Sequence, residues 1–307
     1  MIIKRKGVIF LISVILISLF SMIPINTFNK KNVVPWMSYI HNDTRIKEIS
    51  IPGTHDSGAT HSIFDVSGKC QDLNIKKQLY VGVRFFDLRL QLVNDEFRIT
   101  HSFVDQRLTF KNTMDTLSNF IKEYDSEFII ISIKKESDDK NSSKSFKEAL
   151  DIELNNYKDV ICFDSSLPEY INDARGKIYI MDRYGLDYGI PLYNWQDDTS
   201  FEVNDFYIQD NYCLDNLNEK QEDIIKTIEY GNENDKYILN YTSCYLDYGF
   251  PPTLASKSAK VINPWFYSLV ETDTTNLGIV VMDYMTSELA KIIYMRNYLW
   301  ERYWMFV

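Results

Sequence analysis

Short apolar runs alternate with amphipathic stretches along most of this 307-residue chain. Runs rich in Ile, Val, Leu and Phe predict strands at 48–52, 84–92, 97–101, 127–134, 177–182, 205–209, 237–242 and 277–283. Apolar residues at helical spacing predict helices at 75–81, 109–124, 143–157, 215–229, 263–271 and 285–301. Thr109 and Thr286 stand where helix N-caps are expected. Pro52 and Gly53 are expected to end the first strand.

A strand followed by a helix, repeated about eight times, predicts a parallel α/β sheet, closed as a TIM-like (β/α)8 barrel. No internal repeat or low-complexity linker interrupts the pattern, so we expect a single folded domain over 32–307. The polar stretches 136–146 and 184–204 predict long surface loops.

The N-terminus differs from the rest of the chain. Lys4-Arg-Lys6 precedes a run from Gly7 to Ile23 that carries no charge. A positive cluster before such a run favours an export signal or an N-terminal membrane anchor at 1–31 over a core helix. No small-residue cleavage site follows, so both interpretations stay open. The composition is rich in Lys, Asn and Ile, and we expect a protein secreted by a bacterium or tethered to the outer face of its membrane.

Charge narrows the range of partners. Residues 1–31 hold five of the 33 basic residues and no acidic one, which leaves 28 basic against 43 acidic residues, a net charge of −15. A body this acidic does not suit nucleic acid, and it argues against docking to anionic lipid by bulk charge. The four cysteines are widely spaced without a C-x-x-C pair, so we expect free, buried thiols rather than a zinc site.

Alternation within two strands places polar side chains on one face. Asp87 and Arg89 share a face of the strand 84–92, opposite the face of its leucines. In Ile129-Ile-Ile-Ser-Ile-Lys-Lys-Glu136, Lys134 and Glu136 are expected to point into the barrel mouth and Lys135 away from it. The carboxyl ends of barrel strands are where such folds place their active sites.

Two histidines accompany this polar face. His55-Asp56 follows the first strand and His101 ends the third predicted strand. One neutral and one protonated imidazole would deprotonate an attacking hydroxyl and protonate a leaving alkoxide. The Arg89 guanidinium would meet charge on a phosphoryl group. Asp283 is a candidate to orient a histidine base, with a strand cap as the alternative.

Metal-assisted hydrolysis is the competing chemistry. It would draw ligands from Asp56, Asp87 and Glu136. Arg89 in the same mouth would repel a divalent cation, so we favour metal-free phosphoryl transfer without a cofactor.

These motifs resemble those of bacterial phosphatidylinositol-specific phospholipase C. The resemblance covers nearly the whole body and begins with Ser50-Ile-Pro-Gly-Thr-His-Asp-Ser57. It continues in the family's order through Phe86-Asp-Leu-Arg89, Ser132-Ile-Lys-Lys-Glu136, Asp173-Ala-Arg-Gly-Lys177, Ile208-Gln-Asp-Asn-Tyr212, Asn240-Tyr-Thr-Ser243 and Met282-Asp-Tyr284.

The resemblance implies a distorted TIM-like barrel that needs no metal. It implies cleavage of phosphatidylinositol to diacylglycerol and inositol 1,2-cyclic phosphate, which a slower step hydrolyses. Glycosylphosphatidylinositol anchors are a further candidate substrate. By this resemblance His55 is the general base on the inositol 2-hydroxyl and His101 is the general acid on the leaving oxygen. Arg89 holds the phosphate, Asp56 is coupled to it, and Asp283 orients His55. The inositol ring is bound by Lys134, Glu136, Arg183, Asp210 and Tyr212.

Such an enzyme is expected to act as a monomer, peripherally, on membranes that contain phosphatidylinositol. Ser102-Phe103 stands where the family commonly has a glycine after the second histidine. Tyr245, Tyr248 and Phe250 are a hypothesis for an interfacial patch, because aromatic residues favour the headgroup layer. The alternative is a loop packed on its own barrel. Two other functions remain open: a metal-dependent glycerophosphodiester phosphodiesterase, and an inositol-lipid binding protein without turnover.

Overall fold

The computed structural model describes residues 33–62, 68–246, 254–272 and 275–298. The chain divides into two units, Met1–Val33 and Val34–Val307. The leader predicted at 1–31 lies outside the described residues, as do the last residues of the helix predicted at 285–301. In the four described ranges, no helix combines the length and the apolar character that crossing a membrane requires.

The second unit contains strands, helices and two 3-10 turns at Trp36–Tyr39 and Ile46–Glu48. The strands are β1 Ile51–Thr54, β2 Phe85–Val93, β3 Glu96–His101, β4 Val104–Thr109, β5 Ile129–Lys135, β6 Ile161–Cys162, β7 Ile178–Asp182, β8 Ile190–Pro191, β9 Ser200–Val203, β10 Phe206–Gln209, β11 Cys213–Leu214, β12 Tyr237–Tyr241, β13 Tyr245–Leu246 and β14 Ile279–Met282. The helices are α1 Ile75–Val81, α2 Phe110–Glu123, α3 Phe146–Asn155, α4 Ile171–Ala174, α5 Leu217–Glu233, α6 Ala255–Thr272 and α7 Ser287–Tyr294.

Eight parallel strands form the main sheet, in the spatial order β6, β7, β5, β2, β1, β14, β12 and β10. β9 adds antiparallel to β10. β2 continues past the ladder and returns as the antiparallel strands β3 and β4. Among the described residues the hydrogen-bonded ring is open between the β6–β7 side and β9. The α/β, distorted TIM-like fold expected from the sequence is confirmed, but the predicted closure of the barrel is not seen among the described residues.

The barrel interior changes from apolar to polar toward the carboxyl ends of the strands. One apolar cluster collects alternate strand residues, among them Phe85, Ile130, Met181, Ile208 and Val281. Because side chains two residues apart on a strand share a face, the next inward positions are Asp87, Ser132, Arg183, Asp210 and Asp283. The parity prediction also holds for Lys135, whose ammonium lies outside the barrel, 5.3 Å from the ring centre of Phe146 on α3.

The first strand differs from its prediction. Pro52 and Gly53 lie inside β1 rather than ending it, so His55 follows directly. Pro52 has no amide to donate, but its carbonyl accepts from the amide of Arg84 at 2.9 Å. A Cβ on Gly53 would stand 3.0 Å from Phe85 Cδ1 and 3.1 Å from the Val280 carbonyl oxygen. A larger residue at position 53 would therefore be crowded where β1 lies between β2 and β14.

Two other predictions are corrected and two are confirmed. The stretch 184–204, predicted as a surface loop, contains β8 and β9, because its backbone hydrogen-bonds to β7 and to the edge of β10. Helix α6 begins eight residues earlier than the predicted start at 263, and it continues through Pro264 with a buried stripe that includes Ile262 and Phe266. The hydroxyls of Thr109 and Thr286 accept from the amides of Asn112 and Leu289, as the N-cap predictions required.

Candidate active site

The turn after β1 holds His55 and Asp56 at the polar mouth. The amide of His55 extends the ladder to β14 by donating to the Met282 carbonyl at 3.0 Å. Asp56 then takes a left-handed conformation with φ 43°, which costs a non-glycine residue about 1 kcal/mol or more. Asp87 holds this turn, because its carboxylate accepts from the Asp56 amide at 3.2 Å and its carbonyl accepts from the Ser57 amide at 2.9 Å.

His55 has a defined contact at each ring nitrogen. Its Nδ1 lies 2.8 Å from Asp283 Oδ1, so a carboxylate acceptor fixes the proton on Nδ1 and leaves a lone pair on Nε2. Nε2 lies 2.8 Å from an Arg89 terminal nitrogen and 3.6 Å from Asp56 Oδ2. Burial lowers the pKa of His55, but the Asp283 carboxylate more than offsets this, and the pKa is raised above its ordinary value.

Arg89 stands among three carboxylates. Its Nε lies 3.2 Å from Asp56 Oδ1 and 3.3 Å from Asp87 Oδ2, and a terminal nitrogen lies 3.7 Å from Glu136 Oε2. Burial lowers the pKa of Arg89, but these carboxylates raise it well above the ordinary value. Burial raises the pKa of Asp87, but Arg89 and then Arg183 bring it down to about 2. The pKa of Asp56 is raised, because its burial outweighs the attraction of Arg89.

His101 lies on the other side of Asp56. Ile99 on β3 pairs with Leu90 on β2, so the antiparallel strand brings His101 back to the mouth. Its Nε2 lies 3.5 Å from Asp56 Oδ2. The chain then turns at Ser102 with φ 52°, and the Ser102 amide donates to Glu136 Oε1 at 2.9 Å. The two imidazoles therefore flank a single carboxylate oxygen.

The residues predicted to bind the ring extend from this centre. Lys134 Nζ lies 3.5 Å from Glu136 Oε2. Arg183 has one terminal nitrogen 3.7 Å from Asp87 Oδ1 and the other 3.9 Å from Asp210 Oδ2. Tyr212 lies two residues beyond Asp210, outside these ion pairs, and its hydroxyl donates to Asp197 at 2.8 Å.

Sequence reasoning missed several residues of this region. The Trp195 ring lies 3.5 Å from the Arg183 guanidinium carbon, and its indole nitrogen donates to Asp210 at 3.0 Å. Trp195 stands in the stretch predicted as a surface loop, so no local pattern marked it. Asp87 was considered only as a metal ligand, although its strand parity with Arg89 was a usable signal. The Gln71 amide donates to the carbonyls of His55 and Met282 at 2.8 Å each, which fixes the turn from behind.

The four cysteines are free thiols, as expected, but only Cys70 and Cys244 are buried, whereas Cys162 and Cys213 are half-buried. Cys70 Sγ lies 4.0 Å from His101 Nδ1. In the described ranges, one group of side chains is close enough together to bind a metal ion. The donor atoms of His55, Asp56 and Cys70 all lie within 4.8 Å of one another.

The predicted aromatic patch is described only in part. Tyr245 is half-buried on β13, and its ring centre lies 5.9 Å from that of Tyr212. Tyr248 and Phe250 lie outside the described residues, so the patch remains a prediction.

Known proteins share both the sequence pattern and the fold. Residues 49–184 match the family model described as phosphatidylinositol-specific phospholipase C, X domain. The chain is 26% identical over 290 residues to a 1-phosphatidylinositol phosphodiesterase of Listeria monocytogenes, with 89% of each chain covered. It is 27% identical over 231 residues to the protein of the same name from Staphylococcus aureus strain Newman, covering 68% of this chain and 74% of that one. These matches confirm the resemblance to bacterial phosphatidylinositol-specific phospholipase C that the sequence motifs indicated.

Two solved phospholipase C structures have the same fold as this chain. A mutant of the Staphylococcus aureus phospholipase C superposes with a TM-score of 0.74 at 24% identity, covering 85% of this chain and 98% of that one. The Listeria monocytogenes phospholipase C superposes with a TM-score of 0.70 at 23% identity, covering 85% and 97%. In this chain, His55, Asp56, Arg89, His101 and Asp283 form one contiguous set of contacts at the barrel mouth.

Proposed function

We propose that this chain cleaves phosphatidylinositol to diacylglycerol and inositol 1,2-cyclic phosphate by acid/base phosphoryl transfer without a metal. One observation carries the proposal. His55 Nε2 and His101 Nε2 lie 3.6 and 3.5 Å from the same Asp56 oxygen, and an Arg89 terminal nitrogen lies 2.8 Å from His55. Two proton-transfer groups therefore face a common point beside a fixed positive charge.

In the first step, His55 Nε2 takes the proton of the inositol 2-hydroxyl, and that oxygen forms a bond to phosphorus. The bond from phosphorus to the diacylglycerol oxygen breaks, and His101 supplies the proton that this oxygen needs. Asp283 stabilises the imidazolium formed on His55, and the raised pKa of His55 makes it a stronger base. Water then opens the cyclic product more slowly, with the two histidines exchanging roles.

Arg89 supplies the charge that a metal would otherwise provide. Its guanidinium stands between Asp56, Asp87 and Glu136, the carboxylates that a metal site would have used. Held there, it offers hydrogen bonds to the non-bridging oxygens as negative charge develops on them. This arrangement favours the metal-free reaction over the metal-dependent phosphodiesterase.

The surrounding polar atoms suit a polyol ring. Buried atoms without a hydrogen-bond partner include Glu136 Oε2, Arg183 Nη1 and the hydroxyls of Ser132 and Tyr241. Buried polar groups are normally satisfied. An inositol ring, whose hydroxyls both donate and accept, would satisfy acceptors and donors together. We assign Lys134, Glu136, Arg183, Asp210 and Tyr212 to ring binding on this basis and on the family resemblance.

The test follows phosphatidylinositol in detergent micelles by phosphorus NMR, with the full chain and excess EDTA. A cyclic phosphodiester should appear before any monoester. His55→Ala and His101→Ala should each lower the rate about 10²- to 10⁴-fold. His41→Ala is the matched control, because the His41 side chain is 77% exposed, and it should retain wild-type activity. If no product forms in EDTA and calcium or magnesium restores cleavage, the metal-free mechanism is contradicted. If no product forms under either condition, a binding protein is favoured.

We further propose that the enzyme acts as a monomer, secreted or tethered outside a bacterial cell, and docks peripherally on membranes. Phe103 supports the docking proposal, because it is 80% exposed and lies two residues beyond His101. A large apolar side chain at the mouth would enter the lipid interface. Phe103→Ser should weaken binding to phosphatidylinositol vesicles, whereas Ile152→Ser, which alters a 57% exposed residue on α3, should not. Equal binding by both variants would contradict this role.

A further inference from the structure

We propose that His55, Asp56 and Cys70 form an inhibitory site for Zn²⁺ or a similar thiophilic divalent cation. The proposal concerns the same mouth as the proposed function, and its inhibitory consequence rests on that function. The donor set is one imidazole, one carboxylate and one thiol, with all three donor atoms within 4.8 Å of one another. These are the ligand types that Zn²⁺ prefers, and three protein ligands with a fourth position open to water are common at its exchangeable sites.

The first independent observation that points to a ligand is the unsatisfied state of Asp56 Oδ2. The Asp56 side chain is 2% exposed and this oxygen has no hydrogen-bond partner, although Oδ1 of the same carboxylate faces Arg89. A buried acceptor without a donor favours a positively charged ligand. The two oxygens of Asp56 therefore face different neighbours, and the metal would occupy the side away from the Arg89 Nε.

His55 supplies the second observation. Zinc-binding histidines usually donate their second nitrogen to a carboxylate, which fixes the tautomer and raises ligand basicity. His55 already has this arrangement at Nδ1, 2.8 Å from Asp283, whereas Nε2 lies 2.8 Å from an Arg89 terminal nitrogen that a metal would have to displace. The same contact that prepares a general base therefore prepares a metal ligand.

The separation of the His55 and Asp56 donor atoms already suits a tetrahedral site, whereas Cys70 and Arg89 would have to move. Bonds of about 2.0–2.3 Å in a tetrahedral zinc site separate the ligand atoms by about 3.3–3.8 Å. His55 Nε2 lies 3.6 Å from Asp56 Oδ2, and His101 Nε2 lies 3.5 Å from the same oxygen. Cys70, 4.0 Å from His101 Nδ1, would move toward the other donors.

Binding would balance charge without a redox step. The Cys70 thiol releases its proton to solvent, so a thiolate and a carboxylate neutralise the two charges of the cation. Arg89 opposes the metal, because one of its terminal nitrogens lies 2.8 Å from His55 Nε2 and must withdraw. Inhibition follows from both events, since the base loses its lone pair and the guanidinium leaves the phosphate position.

The first test uses Co²⁺ as a spectroscopic probe on the full chain without lipid. A sulfur-to-metal charge-transfer band should appear in the wild type and in Cys213→Ser, a thiol control on β11, and should be lost in Cys70→Ser. Cys70→Ala is the second variant in case the serine fails to fold. Zinc-edge X-ray absorption of wild type and Cys213→Ser should show one sulfur ligand, and a shell of nitrogen and oxygen alone would overturn the proposal.

The second test measures phosphatidylinositol cleavage against Zn²⁺ concentration, each variant relative to its own zinc-free rate. Half-inhibition should need about 10- to 100-fold more Zn²⁺ in Cys70→Ser. Removing a residue that only orients a metal ligand already lowers metal affinity by that factor, and removing a ligand should lower the affinity at least as much. Equal sensitivity of Cys70→Ser and Cys213→Ser would overturn the site. An enzyme without turnover in EDTA that still gives the Co²⁺ band would refute the proposed function and leave the metal site standing.

Discussion

Replacing Asp283 by Asn tests how the base is prepared. Asp283 is 3% exposed and its Oδ1 lies 2.8 Å from Nδ1 of a His55 side chain that is itself 16% exposed. At an effective dielectric constant near 20, opposite charges about 4 Å apart attract by about 4 kcal/mol, or three powers of ten in rate. The amide cannot supply this attraction to the imidazolium that forms during proton transfer. We expect kcat/KM to fall about 10²- to 10³-fold in Asp283→Asn.

The pH dependence of kcat/KM should also change in Asp283→Asn, and the direction of the change follows from the pKa of His55. The Asp283 carboxylate raises the pKa of His55 against the effect of burial. A base must be neutral to act, so in the wild type the rate rises with pH through this raised pKa. In Asp283→Asn the pKa falls, and the acidic limb of the kcat/KM profile should move to lower pH. Asp72→Asn, at a side chain 64% exposed, is the control. A variant with wild-type kcat/KM and an unmoved acidic limb would refute the reasoning.

Two further predictions concern Arg84, which directly precedes β2, and Arg89, which lies on β2. Arg84 and Glu127 are both fully buried with 2.7 Å between charged atoms, so Arg84→Met should lower the free energy of unfolding by about 3–5 kcal/mol in urea denaturation. The control Lys111→Met breaks an exposed pair with Asp115 and should lower the free energy of unfolding far less. Equal decreases in the two variants would contradict the argument. Arg89→Lys keeps the charge but loses the planar donor fork, so kcat/KM should fall about 10²- to 10³-fold in steady-state assays; wild-type kcat/KM would contradict a role for the guanidinium geometry.

Alternation along the strands was enough to identify much of the mouth. Residues two apart on a strand share a face whatever the rest of the fold does, so Arg89, Lys134 and Glu136 were assigned together from the sequence. Seven of the eight parallel strands were predicted from apolar runs, but the two-residue strand β6 was not, and the predicted strand at 97–101 is the antiparallel β3. N-caps at Thr109 and Thr286 were predictable because a cap depends on residues three positions away.

Features that depend on distant pairing were not predictable. Trp195 contacts Arg183 and Asp210, which lie on either side of it in the chain and come together only in the folded barrel. The contact of Cys70 with His101 spans 31 positions and depends on the return of β3. Gly53 and Pro52 have strong local turn preferences, but close packing between two neighbouring strands overrides them.

The assignment of base and acid is tested most directly by changing the leaving group. Nitrophenolate leaves without a proton, whereas the diacylglycerol alkoxide needs one. His101→Ala should lose about 10²- to 10⁴-fold in kcat/KM on phosphatidylinositol and far less on a nitrophenyl ester of inositol phosphate, while His55→Ala should lose heavily on both. Equal losses of His101→Ala on the two substrates would contradict the assignment of His101 as the general acid.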